Sequence, residues 1–258
     1  MSLSTIISEN KAYWTRRAHS YSQVSREELT GASHIRWRNC LSQRIRTHFP
    51  DRPPSQIRVL EIGTGPGFFA ILLCEMGYEV TAVDLTAAML EQARENAGRL
   101  AEQICFMEMN AEALAFEDGY FDVVISRNLT WNLPHPEKAY AEWARVLSPG
   151  GLLLNFDANW YAYLFDADAR TAFDEDRAIS AREGVPDQNV GDGFDVMEGI
   201  ARRIPLSAAR RPRWDLDMLT CLGLRAGSDE TVWQQVWSRQ EKLNFASTPM
   251  FMVYAAKV

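Results

Sequence analysis

Apolar residues follow two regimes along this chain. Over residues 8–49 they recur at helical spacing, as Tyr13, Trp14, Tyr21, Ile35, Trp37, Leu41 and Ile45, with a polar break near Gly31. This predicts a helical arm, closed by Pro50-Asp51-Arg52-Pro53-Pro54. Beyond it, short apolar runs alternate with helical stretches. Ile57–Glu61, Glu79–Val83, Ile104–Met107, Phe121–Ser126 and Leu152–Phe156 read as strands. Phe68–Met76, Ala87–Leu100 and Glu137–Val146 read as the helices between them, the first stopped by Gly77 and the last by Ser148-Pro149-Gly150-Gly151. Strands joined through helices imply right-handed crossovers and a parallel sheet. After Asp157 the alternation lapses. It resumes with a helix over Trp214–Leu222 ended by Gly223, strand-like residues near Leu224, and a terminal strand over Pro249–Lys257. The expected division is an arm over 1–54, a core over 55–157 plus 214–258, and an inserted cap over 158–213.

The first strand and its turn carry the chemistry. Val59-Leu60-Glu61-Ile62-Gly63-Thr64-Gly65-Pro66-Gly67 is an apolar strand with an acid near its end, then a glycine-rich turn. Gly63 and Gly65 can take positive φ and let a ligand approach the backbone, and Gly67 lets the next helix pack close to the strand. The second strand ends in Asp84, where an acid can accept hydrogen bonds from both hydroxyls of a ribose. Two adjacent strand ends, each with a carboxylate beside a glycine turn, predict a nucleoside pocket. A nicotinamide or flavin dinucleotide prefers G-x-G-x-x-G, whereas this turn reads G-x-G-x-G. Glu61 would repel a pyrophosphate but suits a ligand bearing an ammonium group and a sulfonium.

Composition narrows the class. The 258 residues suffice for one large α/β domain with an insertion. A net charge of −7 argues against a general nucleic-acid binder. Residues 160–200 hold ten acids, Asp192 among them, and only three arginines, so this stretch alone carries a charge of −7. A basic cluster follows: Arg202, Arg203, Arg210, Arg211 and Arg213. The first could attract a cationic acceptor and the second an anionic one, so charge does not choose between them. The segment Met1–Asn10 lacks a signal-peptide core, and no apolar run has the length of a membrane span. Cys40, Cys74, Cys105 and Cys221 are scattered and read as buried thiols in a reducing, cytoplasmic setting. With four dispersed histidines, no metal site is expected.

Taken together, these motifs resemble the class I S-adenosylmethionine-dependent methyltransferases of the small-molecule type, from about Tyr13 to Asp157 and over the C-terminal strand pair. Glu61 to Gly67 resembles the family's first motif and Val83 to Leu90 its second. Asn110-Ala111-Glu112-Ala113-Leu114-Ala115-Phe116 corresponds to the third, and Phe121-Asp122-Val123-Val124 and Arg145 to Gly151 complete the set. The resemblance implies a Rossmann-like α/β sheet of order 3-2-1-4-5-7-6 with strand 7 antiparallel, and S-adenosyl-L-methionine as cofactor, leaving S-adenosyl-L-homocysteine. In one departure, the family's usual third-motif Asp is here Asn110, whose side-chain oxygen can still accept from an adenine amino group.

The resemblance also implies site roles. Gly63, Thr64, Gly65 and Gly67 form the turn against the methionine part, and Glu61 orders it. Asp84 holds the ribose, Leu85 and Met89 line the adenine pocket, and Asn110, Ala111 and Glu112 meet the ring. Backbone at Arg127 and Asn128 meets the methionine amino group, and Trp14 and Tyr21 on the arm cover the cofactor. Methyl transfer is an in-line displacement in which positioning and water exclusion supply much of the rate. If a base is needed, Asp157, Tyr21, Tyr161 and His135 are candidates, with His19 and Trp131 beside them. Trp160 and Tyr161 are candidate walls of the acceptor pocket. The expected acceptor is a small molecule, with no nucleic acid and no membrane, acted on by a monomer or homodimer. The alternatives are a protein or tRNA methyltransferase, or a non-catalytic S-adenosylmethionine-binding regulator.

Overall fold

The computed structural model describes residues 3–187 and 193–258. Seven strands form one sheet of order β3-β2-β1-β4-β5-β7-β6: β1 (Arg58–Ile62), β2 (Glu79–Asp84), β3 (Ile104–Glu108), β4 (Phe121–Arg127), β5 (Leu147–Asp157), β6 (Leu224–Asp229) and β7 (Phe251–Lys257). β1 to β5 run parallel, and β7 lies antiparallel between β5 and β6. Burial follows position in the sheet. Central β4 is buried from Phe121 to Ser126, while edge strand β3 leaves Cys105 and Met107 exposed.

Ten α-helices surround the sheet. The arm is two helices, α1 (Leu3–Thr30) and α2 (Ala32–His48), parted at Gly31, where a Cβ would lie 2.8 Å from the Glu27 carbonyl oxygen. α3 (Phe68–Glu75), α4 (Ala87–Ala97) and α5 (Pro136–Val146) make the crossovers. α6 (Ala167–Arg182) and α7 (Phe194–Ala201) occupy the insertion, and α8 (Arg213–Cys221) leads into β6. Between β6 and β7 lie two helices absent from the sequence reading, α9 (Trp233–Val236) and α10 (Arg239–Asn244). They are too short for a periodic signal.

Several expectations need correction. The helix expected to reach Leu100 ends at Ala97, because Gly98 takes positive φ and a 3₁₀ turn follows. Ser148-Pro149-Gly150-Gly151 is not a free turn. β5 starts at Leu147 opposite Phe121, bulges through these residues, and resumes with Leu152 opposite Val123. Cys105 and Cys221 are exposed, and only Cys40 and Cys74 are buried.

The acidic stretch is largely paired within the protein. Asp176 accepts from the Ser247 N–H at 2.8 Å, Glu198 accepts from the Tyr163 hydroxyl at 2.8 Å, and Glu183 pairs with Arg239. Asp174 meets Arg170 and Asp187 meets Arg177. Asp192 lies outside the described residues. Asp176 and Glu183 tie α6 to the segment around α10, while Asp168, Glu175 and Asp195 stay exposed.

One arginine of the basic cluster is wholly interior. Arg211 has no exposed side-chain surface, and neither do its partners Asp157 and Asp215. Its guanidinium reaches Asp157 Oδ2 at 2.8 Å, both carboxylate oxygens of Asp215 at 2.7 and 2.9 Å, and the Thr130 hydroxyl at 2.6 Å. The Tyr140 hydroxyl donates to Asp215 at 2.6 Å, and Asn155 donates to Thr130 and to Tyr140. Burial works against the arginine's charge, but the two aspartates hold it protonated. The cluster joins the insertion, the end of β5, α8 and the loop after β4. Arg211→Met would strand two buried carboxylates, at a cost of about 3–5 kcal/mol. Arg213→Met, which breaks an exposed pair with Asp217, should cost under about 1 kcal/mol. Urea unfolding of both variants checks this, and similar losses would contradict the assignment.

Candidate active site

A cleft of about 860 Å³ opens at the carboxyl ends of β1, β2 and β4. Its floor is the glycine turn. Gly63 and Gly65 take φ of 70° and 53°. A Cβ on Gly63 would sit 2.8 Å from a Leu129 methyl carbon, so only glycine fits there. The N–H groups of Gly63 and Thr64 both reach the Val83 carbonyl, at 2.8 and 3.0 Å, which ties the turn to β2. Asp84 is fixed by main chain: Oδ2 accepts from Gly65 N–H and Oδ1 from Thr86 N–H, each at 2.9 Å. Burial pushes its carboxyl up, and those two donors oppose the shift.

Leu85, Met89, Asn110, Ala111 and Glu112 line the far side of the same cleft, with Met109 beside them. Asn110 Oδ1 accepts from the Glu112 N–H at 3.0 Å, closing a small turn that uses one of its two lone pairs. Glu112 is held by His135, which donates its backbone N–H to Oε1 and places its Nδ1 2.9 Å from Oε2. His135 therefore braces Glu112, and its Nδ1 is already engaged there.

The roof is α1. Ile7, Trp14 and Tyr21 recur every seven residues and face the cleft, joined by Asn10 and Lys11. The same spacing continues to Glu28, which lies over a narrower neighbouring cavity with Glu61, Thr64 and Arg127. Glu28 accepts from Arg127 Nη2 at 2.6 Å, and that guanidinium lies 4.9 Å from the Trp37 ring and 5.0 Å from the Phe68 ring. The Arg127 side chain thus latches the arm. Further along, Ser22 and Arg26 meet Asn96 on α4, and Asn96 donates to the Pro66 carbonyl, which joins arm, helix and turn.

Glu61 lies beneath the turn rather than in the main cleft. Its Oε2 accepts from the Thr64 hydroxyl at 2.6 Å. Burial pushes its carboxyl up to about 8, against the pull of Thr64 and of the Ala70 N–H.

Some sequence-based roles do not fit this geometry. Gly67 faces α4, where a Cβ would meet the Ala93 Cβ at 3.0 Å, so it serves helix packing and does not line the cleft. Asp157 cannot act as a base. Oδ2 is taken by Arg211, Thr130 and the Trp131 N–H, and Oδ1 by the Ala158 N–H and Trp160 Nε1. His19 points to solvent. Tyr21 and Tyr161 are partly buried, and desolvation raises both hydroxyls, so they stay protonated near neutral pH and serve as hydrogen-bonding groups rather than bases.

Sequence reasoning missed Asn10, Asn132 and Glu28. The amide oxygens of Asn10, Asn128 and Asn132 are buried beside the cleft without a donor. A buried acceptor is costly unless something pairs with it. Asn128 also takes a positive φ of 56°, a sparsely populated conformation. The readable signal for Glu28 was an acid in register with Ile7, Trp14 and Tyr21 on the inward face of the helix.

Residues 60–155 match the family model described as a methyltransferase domain. Over 135 residues the chain is 37% identical to a ubiquinone/menaquinone biosynthesis C-methyltransferase of Methylobacterium nodulans, covering 51% of this chain and 52% of that one. The chain spans about half the length of the curated relatives it matches first. A solved S-adenosylmethionine-dependent methyltransferase from Aquifex aeolicus superposes with a TM-score of 0.57 at 18% identity, covering 95% of this chain and 98% of that one. Geranyl diphosphate C-methyltransferase from Streptomyces coelicolor, solved with S-adenosyl-L-homocysteine, superposes with a TM-score of 0.55 at 14% identity, covering 85% and 79%. The matched stretch runs from β1 into β5, and β7 lies antiparallel between β5 and β6, so this part of the chain is similar to the methyltransferase domain and the sheet has the fold of the solved S-adenosylmethionine-dependent methyltransferases.

Proposed function

We propose that this protein transfers a methyl group from S-adenosyl-L-methionine to a small-molecule acceptor. The observation that carries the reading is Asp84, held by the Gly65 and Thr86 N–H groups at the lip of a glycine-floored cleft. Its remaining lone pairs suit two vicinal hydroxyls of a ribose. The residues present also suit the rest of the cofactor. Leu85 and Met89 give an apolar slot for adenine, with Asn110 and the Ala111 backbone at its rim. The unpaired amide oxygens of Asn128, Asn10 and Asn132 supply acceptors for amino groups.

Held by Asp84, Leu85, Met89 and the Gly63–Gly65 turn, the cofactor would supply a methyl on sulfonium for displacement by a nucleophilic atom of the acceptor. The protein's own share is placement and dryness. Gly63 and Gly65 let the backbone close on the ligand, α1 covers it, and Arg127 and Glu28 hold α1 down. Among the described residues no free carboxylate or imidazole stands ready as base beside the cleft, since Asp157 and His135 are engaged and Tyr21 keeps its proton. Burial and orientation then carry the rate. In this reading the arm and the insertion are the covers of the site. Four free thiols and the absence, among the described residues, of a helix long and apolar enough to cross a membrane are compatible with a cytoplasmic setting.

Thermal unfolding with S-adenosyl-L-homocysteine tests the reading. At 100 times its dissociation constant the ligand should add about 2.7 kcal/mol, and NADH should add nothing. Asp84→Ala should weaken S-adenosyl-L-homocysteine roughly 10- to 100-fold in calorimetry, the loss of charge-assisted hydrogen bonds. No adenosyl-ligand stabilisation of the folded wild type would refute the proposal. Glu61 gives a separate, signed prediction. Its folded carboxyl titrates near 8 against an ordinary 4.5. Between those values the native state holds a proton that the unfolded chain has released, so stability falls as pH rises through the window, by at most about 1.4 kcal/mol per unit. Glu61→Gln removes this term. The variant should therefore gain stability relative to wild type from pH 5 to pH 8, and a constant difference would contradict the shift.

A further inference from the structure

The cleft continues beyond Asn128. Trp14, Tyr21 and Asn128 are shared with a second cavity of about 610 Å³ on the side of the insertion. Among the described residues, eight of the nine that line it carry aromatic rings and none carries a charge. The Trp131 and Tyr161 rings lie 5.0 Å apart with their planes tilted by 34°, so they pack against one another at the cavity. Trp160 stands edge-on to Phe245 at 5.3 Å. The wall is braced from behind, because Asp157 accepts from both the Trp131 N–H and Trp160 Nε1.

We propose that this aromatic cavity is the acceptor subsite, and that it takes an uncharged, planar aromatic molecule presented past Tyr21 and Asn128 to the cofactor cleft. This rests on the methyltransferase reading above. Among the described residues no cation lines the wall itself, and Arg17 acts on Tyr21 and Tyr161 from outside it. Rings do attract ammonium groups, but among the described residues no carboxylate lines this space to complete such a site. Aromatic faces and edges offer offset or edge-on stacking, which adds to simple burial. The Tyr21 and Tyr161 hydroxyls keep their protons and can donate to a hydroxyl or carbonyl on such a ligand. Asp157 and Arg211 are then positioning residues for the acceptor, acting through Trp131 and Trp160.

Calorimetry on the full chain, with and without S-adenosyl-L-homocysteine, provides the test. The probes are 2-naphthol, its carboxylate analogue 2-naphthoate, and tetramethylammonium. We expect saturable 2-naphthol binding that Tyr161→Ala weakens about tenfold or more, as loss of a stacking wall requires. Tyr161→Phe, which keeps the ring, should remain near wild type, and both charged probes should bind more weakly than 2-naphthol. Tighter binding of either charged probe, no saturable 2-naphthol binding, or 2-naphthol binding indifferent to Tyr161→Ala overturns the proposal. Circular dichroism checks that the variant folds, and Phe245→Ala replaces it if it does not. S-adenosyl-L-homocysteine is titrated in parallel. If it binds while 2-naphthol does not, the acceptor proposal fails and the methyltransferase reading stands. If only 2-naphthol binds, the methyltransferase reading fails and the acceptor proposal falls with it.

Discussion

A single buried arginine fixes the insertion against the end of the sheet. Arg211 comes from the far end of the insertion, yet its guanidinium lies among Asp157 from β5, Asp215 from α8 and Thr130 from the loop after β4. Three ionised groups without exposed surface are expensive to desolvate, and the geometry offsets that expense only while every partner stays in place. Asp157 in turn bonds the Trp131 backbone and the Trp160 indole. The position of the insertion and the shape of the aromatic wall are therefore set by the same set of hydrogen bonds. A shift of either would leave a charge unpaired.

A second arginine does the corresponding work on the cofactor side by different physics. Arg127 sits at the end of β4 with its guanidinium over the Trp37, Phe68 and Phe69 rings and its charge on Glu28. Ring faces tolerate a guanidinium better than an ammonium, since it is planar and weakly hydrated. The latch joins α1, α2, α3 and β4 at one point. Loosening it would remove one of the ties on the arm, whereas losing Arg211 would disturb the carboxyl end of β5.

The legibility of the site in the sequence divides along physical lines. The sheet order, the glycine turn and Asp84 follow from short-range patterns: alternation of apolar runs, positive-φ positions, an acid at a strand end. Those features act within a few residues of one another, so the chain displays them directly. Gly67 was read partly correctly, because packing against a helix and contact with a ligand both demand a missing Cβ, and only the Ala93 neighbour separates them. Asp157 was misread because an acid at a strand end looks the same whether it faces a pocket or an arginine 54 residues further on. Arg211 looked like one of five basic surface residues. The pairing of the acidic stretch with α10 was likewise invisible, since neither partner belongs to a periodic segment.

The seven-residue recurrence of Ile7, Trp14, Tyr21 and Glu28 makes α1 a ruler laid along the site. At 1.5 Å per residue it spans about 30 Å from first to last. A straight helix also drifts about 20° per heptad, so the inward face turns by roughly 60° between Ile7 and Glu28. The two cavities are therefore served by successive sectors of a single rod. Chain length in that rod is as constrained as chemistry: one residue added between Trp14 and Tyr21 would rotate everything downstream by about 100°. Trp14 would keep its place, while Tyr21 would leave both cavities and Glu28 would leave Arg127. Within α1, substitution at outward positions is cheap and insertion at any position is not.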